Sequence, residues 1–252
     1  MPVVLTRLSV FASPLALVLA WLLLARFGGF PAQLLVPPQE VYQAFVELLQ
    51  SGELREHLAN SLSRLALGFC AGALGGLLFG IAMALSETVE AYCGPLFHVL
   101  RQIPSIALIP MFILFFGVEE TFKVVVVAKA SFFPVALAAS DGVKGIPRRY
   151  FEVAEVYRLP LPSLVRDVAL PAAAPPIVTG LRIALSRAWM VLVAAELLAA
   201  DSGLGQMIEM SRQMMRIDIV MVGVVLTGLV GFTLDHGFRL LERRLLRWRD
   251  TP

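Results

Sequence analysis

The residues that could do chemistry in this chain lack the spacings that catalytic and metal sites require. A phosphate-binding loop needs Gly-Lys followed by Ser or Thr. None of Lys123, Lys129 and Lys144 follows a glycine or precedes a hydroxyl residue. The histidines form no H-E-x-x-H, no G-x-S-x-G occurs, and Cys70 and Cys93 form no C-x-x-C. We therefore predict no catalytic site, no metal site and no cofactor bound by this chain.

One lysine lies deep within an apolar stretch. Lys129 is eight residues into the run 121–142, about 12 Å from its start at about 1.5 Å per residue. An ionisable side chain at such depth is expensive and is a functional-site hypothesis by default. We hypothesise that Lys129 lines a translocation path and attracts an anionic solute. The alternative is a lysine that reaches the interface or pairs with an acid on another helix.

Two further charges lie in a later apolar run. Glu196 cannot pair with Arg187 on the same helix, because nine intervening steps place the two on opposite faces. Arg182 is on nearly the same face as Glu196 but about 21 Å away along the axis. We expect Glu196 to meet Lys129 or to help close an outer gate, and Arg182 to fix its helix against the polar segment 146–171. Both are also candidates for the translocation path.

That polar segment, IPRRYFEVAEVYRLPLPSLVRDVALP, separates very apolar stretches. Its apolar spacing predicts one short amphipathic helix over 148–157 and another over 163–170. Pro160 and Pro162 must supply the bend between them. In the first helix the apolar residues Tyr150, Ala154 and Tyr157 recur at helical spacing, which leaves Arg148, Glu152 and Glu155 on other faces. Such a pair of helices can lie on a membrane surface and form a protruding surface that docks into a groove of a partner protein.

The composition, with 58% apolar and 16% charged residues and a mean hydropathy of +0.79, excludes a soluble globular domain. Apolar runs predict six spans, over 9–27, 61–85, 94–116, 121–142, 176–199 and 217–236. We expect the first to be retained rather than cleaved as a signal peptide. The third contains Pro104 and Pro110 and is predicted to be bent or short, while Pro175-Pro176 is predicted to open the fifth.

Two features of the first half concern packing. In the second span four glycines recur every fourth residue, which lets another helix backbone approach closely. They are Gly68, Gly72, Gly76 and Gly80. We expect this seam to pack within the subunit rather than at a dimer interface. Between the first two spans, Pro37-Pro38 is predicted to open a short amphipathic helix on the outer side.

The basic residues give the orientation. With a cytoplasmic N-terminus, eleven of them face the cytoplasm and five the other side, in agreement with the positive-inside rule. The cytoplasmic set is Arg7, Lys144, Arg148, Arg149, Arg158, Arg166, Arg239, Arg243, Arg244, Arg247 and Arg249, and the outer set is Arg26, Arg55, Lys123, Arg212 and Arg216. Segment 146–171 is thus predicted to be cytoplasmic, as are both termini.

The polar segment resembles the EAA signature of permease subunits in bacterial ABC importers, which reads E-A-A, three residues, Gly, nine residues, I-x-L-P. Glu152, Ala154, Leu170 and Pro171 match, Val168 replaces Ile, Val153 replaces the first Ala and Arg158 replaces the Gly. The runs 101–117 and 179–205 are similar to the nitrate, sulfonate and taurine branch of that family.

The resemblance implies an all-α membrane protein with the type I ABC importer permease fold and a cytoplasmic coupling helix between spans four and five. It implies a first span and outer segment over 1–60, a permease core over 61–245 and a basic tail over 246–252. It further implies two cytoplasmic ATPase subunits that bind ATP and Mg, a second permease copy as a homodimer, and an extracytoplasmic substrate-binding protein. The seven residues of the signature would couple the permease to the ATPase. The expected solute is a sulfonate, taurine or nitrate.

Other functions have sequence features that would discriminate them. A permease for a thiamin- or riboflavin-related solute would share the same fold. An ion-coupled secondary transporter could use Lys129 and Glu196 as coupling charges, but the inverted repeats that would favour it are absent. An intramembrane enzyme lacks a paired nucleophile and base. No nucleic-acid module occurs, and anionic lipid explains the basic tail better.

Overall fold

A computed structural model of the protein describes residues 2–27 and 35–247. These two ranges contain α-helices and turns and no β-strand, so the all-α prediction is confirmed. The helices are α1 Pro2–Phe27, α2 Pro38–Ser51, α3 Glu53–Leu85, α4 Glu87–Leu100, α5 Ile109–Phe116, α6 Glu120–Lys144, α7 Arg148–Val156, the single turn α8 Leu161–Ser163, α9 Leu170–Leu198, α10 Leu204–Gln213 and α11 Ile217–Leu245.

Four helical stretches are long and apolar enough to cross a membrane. They are Glu53–Leu85, Glu120–Lys144, Leu161–Leu198 and Ile217–Leu245. Two shorter apolar stretches, Ala16–Phe27 and Ile106–Phe116, fall at the predicted first and third spans. The chain is therefore a multi-pass membrane protein, while the count of six spans stays a prediction.

The predicted third span is broken. α4 ends at Leu100, and helical structure resumes only with a 3-10 turn at Ile106–Leu108 and with α5. Pro104 lies in the gap, where it cannot donate a backbone hydrogen bond and restricts the residue before it. The expectation of a bent or short helix is confirmed. Because the 14 residues of α4 rise about 21 Å, the break lies near the middle of the bundle.

α9 begins earlier than predicted. It starts at Leu170 with Pro171 in its first turn, and Pro175 and Pro176 lie inside it, so the prediction that they open the helix is wrong. A π-helical segment, Leu164–Ala169, joins α9 to α8, so the predicted separate helix over 163–170 merges with α9. The two inner prolines leave the carbonyl groups of Pro171 and Ala172 without helical partners. These residues line a cavity, where such breaks are tolerated.

The glycine seam of α3 packs against α6, which confirms an interface within the subunit. A Cβ atom on Gly72 would lie 2.2 Å from the carbonyl oxygen of Ala128, and one on Gly80 would lie 2.2 Å from that of Ala136. Gly68 and Gly76 face the same helix at similarly short range. Only glycine lets the two backbones approach so closely.

The helices give the bundle two ends, called here the α7 end and the α10 end. α6 runs from the α10 end at Glu120 to the α7 end at Lys144, and α9 runs back. At the α10 end Arg216 donates a hydrogen bond of 3.0 Å to Glu47, which joins α11 to α2. The predicted helix after Pro37 is confirmed as α2. Residues 28–34, the Arg7 side chain and the tail beyond Arg247, including Arg249, lie outside the described residues.

Candidate functional site: a surface segment, a central cavity and a buried ion network

Segment 146–171 lies at the α7 end and is anchored through one face of α7. Ala154 is buried, and Phe151 packs on the cluster that contains Val143 and Ala169. Of the three apolar residues that recur at helical spacing, only Ala154 is buried, since Tyr150 is 47% exposed and Tyr157 is 76% exposed. Phe151, rather than either tyrosine, supplies the aromatic contact with this cluster.

The opposite face of α7 is apolar and points outward. Val153 is 57% exposed and Val156 81% exposed, and Glu152 and Arg158 lie at the same surface. Val168 and Pro171 line a neighbouring cavity of about 890 Å³, and Leu170 packs against the buried cluster. The seven signature residues therefore divide into an exposed set and an inner set. Glu152, Val153 and Arg158 are exposed, whereas Ala154 and Leu170 pack on the core and Val168 and Pro171 line the cavity.

Arg158 itself forms the bend after α7. Its φ is +49°, in the left-handed region where glycine is favoured. The Leu159 amide donates to the Ala154 carbonyl at 3.0 Å and the Arg158 amide donates to that of Glu155 at 2.9 Å. This is the Schellman arrangement that commonly ends a helix with glycine at this position. The expectation that the two prolines alone supply the bend is therefore wrong.

Lys129 lines a central cavity of about 480 Å³ between α6, α9 and the broken segment after α4. Its ammonium group donates to the Ile103 carbonyl and lies 5.6 Å from the centre of the Phe133 ring. It forms no ion pair among the described residues. Arg101 and Arg187 line the same cavity, and no carboxylate does so in the described chain.

The central cavity continues toward the α7 end. A second cavity of about 560 Å³ shares Pro134, Leu137 and Arg187 with it. That cavity shares Ala138, Asp141, Pro175 and Pro176 with the one that Pro171 lines. Together they form a groove along α6 and α9, from the middle of the bundle to segment 146–171.

Glu196 does not meet Lys129; that prediction is wrong. Its carboxylate is fully buried and accepts hydrogen bonds from Arg64 at 2.9 Å, from Ser61 at 2.8 Å and from the Gly205 amide at 3.1 Å. Arg64 also donates to Glu120 and to Ser202. The network therefore joins α3, α6 and α9 to the start of α10.

Gly203 completes that network. Its φ is +112°, and a Cβ atom there would lie 2.3 Å from a carboxylate oxygen of Glu196. Its amide donates to Nδ1 of His57 at 3.0 Å. The loop before α10 is thus held by backbone as well as side-chain hydrogen bonds.

Arg182 lies apart from both sites. Its guanidinium donates to Glu242 of α11 at 3.0 Å, and Thr179 donates to the same carboxylate at 3.0 Å. The predicted contact with segment 146–171 is replaced by this contact with α11. The three predicted path residues, Lys129, Glu196 and Arg182, therefore lie in three separate parts of the bundle. Of these, only Lys129 lines the central cavity.

Charges on the surface of the α10 end are fixed. Two hydrogen bonds from Arg212 lower the pKa of Glu209 to about 2. Hydrogen bonds to Asp218 and Glu47 raise the pKa of Arg216 further above its usual range. These groups therefore keep their charge at any physiological pH.

Sequence reasoning missed Arg64, Arg101 and Arg187. A signal existed for each, since all three are ionisable residues inside predicted spans. Their partners could not be read from spacing, because Arg64 lies 132 residues from Glu196 in the chain. The cavity was not predicted, because residues 94–116 were expected to form one helix and the cavity is created by the break in it.

Comparisons with known proteins agree with this architecture. Residues 76–247 match the family described as binding-protein-dependent transport system inner membrane component. The chain is 39% identical to the aliphatic sulfonates transport permease SsuC of Bacillus subtilis, over 94% of this chain and 86% of that one. It is 35% identical to the taurine transport system permease TauC of Escherichia coli, over 92% and 86%.

Solved structures support the same fold. The inward-facing methionine ABC transporter MetNI superposes with a TM-score of 0.61 at 21% identity, over 77% of this chain and 98% of that one. A multi-pass helical chain with a matching family core and near full-length relatives is a transporter subunit of the inner membrane rather than an enzyme. The protein belongs to the binding-protein-dependent transport inner membrane components, the permease subunits of ABC importers, which work with an ATPase and a substrate-binding protein.

Proposed function

We propose that this permease imports small sulfonates such as taurine. The observation that carries the proposal is the likeness, along nearly the whole chain, to permeases named for aliphatic sulfonates and for taurine. The central cavity supports it, because a lysine and two arginines without carboxylate partners suit a small anion. Lys129 contributes to the translocation path in this proposal.

Segment 146–171 couples the permease to the ATPase, which binds ATP and Mg on a separate chain. The exposed apolar side chains of Val153, Val156 and Tyr157 would be buried in a groove of that partner. Ala154 and Leu170 transmit its movement because they pack on the bundle core. Glu152, Arg158, Val168 and Pro171 complete the contact surface and its bend.

A homodimer with two ATPase subunits is the functional unit. The groove along α6 and α9 is open on one side in a single chain, where Ile183 and Met190 are exposed. A second copy facing this side would enclose the groove as a path. Residues 1–60 then form the first span and outer segment, 61–245 the core and 246–252 the tail, with both termini cytoplasmic.

Glu196 and Arg182 support the path without lining it. The α10 end faces the binding protein, and in this conformation the network around Glu196 closes it. Arg182 holds α11 against α9 through Glu242.

The test is growth on a sulfonate. Native cells that lack the gene should fail to grow with taurine or ethanesulfonate as the sole sulfur source and should grow normally on sulfate. The wild-type gene should restore both growth and uptake of radiolabelled taurine. Unchanged growth and uptake on both sulfonates after deletion would overturn the proposed solute class.

A further inference from the structure

The central cavity brings together three cationic groups from three different elements. Arg101 comes from the end of α4, Lys129 from α6 and Arg187 from α9. Lys129 is nine residues from the start of α6 and Arg187 eleven residues from the end of α9. These positions correspond to about 14 Å and about 17 Å from the α10 end. Lys129 and Arg187 therefore lie at similar depth along the bundle, and Arg101 lines the same cavity.

The cations of the cavity differ from those that form ion pairs elsewhere in the described residues. Arg64, Lys144, Arg182 and Arg216 each form an ion pair with a carboxylate, whereas the three cavity cations form none within residues 2–27 and 35–247. The Nε–H group of Arg101 is buried and has no hydrogen-bond partner among those residues. An unpaired cation at membrane depth is costly, and such residues mark solute pathways.

The backbone at the cavity is also irregular. Residues 101–105 leave the helix, and Pro134 deprives the Ala130 carbonyl of its helical partner. Non-helical backbone at membrane depth occurs where it is buried in protein or lines a water-filled cavity. Ala130, Pro134 and residues 101–106 all line this one.

We infer that Arg101, Lys129 and Arg187 form an oxyanion-binding site, which holds the sulfonate group of the solute halfway through the membrane. This inference rests on the proposed function and adds the residues that hold the solute. Guanidinium groups donate two parallel hydrogen bonds to such an anion. The adjoining Phe133, Leu137 and Met190 offer apolar surface to the carbon chain. The volume of about 480 Å³ is in the range of small-molecule sites.

The test measures the electrostatic preference of the cavity without requiring transport. In the assembled importer in native membranes, with Cys70 and Cys93 replaced by Ala, a Met190→Cys variant is labelled with two methanethiosulfonates. One carries a sulfonate group and the other a trimethylammonium group. A Met214→Cys variant is the matched control, because Met214 is similarly exposed but lies after α10.

The ratio of the anionic to the cationic labelling rate should be at least about tenfold higher at position 190 than at position 214, because a cleft lined by one sign of charge concentrates the opposite ion. Arg187→Gln or Lys129→Met should lower this ratio toward the control, and Arg244→Gln, on the exposed end of α11, should not. Ethanesulfonate should slow labelling at position 190 only.

The outcomes separate this inference from the proposed function. Equal ratios at the two positions in cells that grow on taurine would overturn the anion site and leave the sulfonate importer standing. In that case Lys129 serves only to satisfy the Ile103 carbonyl group of the broken helix. An anionic preference without growth on sulfonates, and without protection by ethanesulfonate, would support the anion site and overturn sulfonate as its ligand.

Discussion

Arg158 places a long, charged side chain in a backbone conformation that favours glycine. The family signature has glycine here, and the two Schellman hydrogen bonds explain why. The departure from the signature therefore changes the stability of the bend and not its geometry.

An Arg158→Gly variant should stabilise the bend. Removing the strain of a left-handed L-residue should add about 1 kcal/mol to the local opening free energy and slow amide exchange over residues 154–159 about fivefold. Arg149→Gly is the control, since it removes the same side chain inside α7 and should speed exchange. Hydrogen exchange of the purified importer, read by mass spectrometry, tests both. Slower exchange in neither variant, or in both, would contradict this account of Arg158.

The buried pair of Arg64 and Glu196 should dominate stability at the α10 end. Arg64→Met should lower the free energy of unfolding by about 3–5 kcal/mol, because it leaves a buried carboxylate without its cation. Adding Glu196→Gln should restore part of the loss, since the remaining group is neutral. Arg55→Met, on the exposed side of the same helix, should change it by less than about 0.5 kcal/mol. Titration with denaturing detergent measures these differences, and a double variant that is no more stable than Arg64→Met would contradict the charge argument.

At the scale of elements, the close contact of α3 with α6 organises the bundle. The contact depends on four glycines whose spacing is visible in the sequence, and the structure shows what they meet. The break between α4 and α5 creates the central cavity beside this pair.

Gly72→Ala should disrupt the seam, because its new methyl group would lie 2.2 Å from a backbone oxygen of α6. We expect a loss of about 1–3 kcal/mol or more, as for overpacked cores. Gly75→Ala is the matched control on the same helix, since its methyl group would lie 3.6 Å from the flexible Phe132 ring. Thermal unfolding in mild detergent compares the two. Equal midpoints would show that α3 and α6 can separate without loss.

Element positions were largely predictable from sequence, and side-chain partners were not. Apolar runs and glycine spacing indicated the long helices and the seam, because both reflect local periodicity. Pro104 indicated a bent or short helix, but the consequence of the break, a cavity with three cations, depends on three elements meeting in space. The start of α9 was mispredicted from Pro175 and Pro176, because proline can lie inside a membrane helix where a cavity accommodates the freed carbonyl groups. The partner of Glu196 was missed because Arg64 lies on a helix distant in sequence.

At the scale of the whole molecule, the groove connects the central cavity to the α7 end, where segment 146–171 exposes its apolar face. Movement of α7 and of the start of α9 would therefore change the walls of the same groove. The ion network joins α3, α6, α9 and α10 at the opposite end. This arrangement explains how a chain without a phosphate-binding loop can be driven by a partner that has one.

The most direct test of this account is to purify the tagged protein from its native cells in mild detergent and to identify what accompanies it. The wild type should retain an ATPase that contains a phosphate-binding loop, and Glu152→Arg should lose most of it. Glu87→Arg makes the same charge change at the first residue of α4, outside segment 146–171, and it should retain the ATPase. A wild-type protein that is reproducibly free of any such ATPase would contradict the account, and equal retention by both variants would remove Glu152 from the coupling surface.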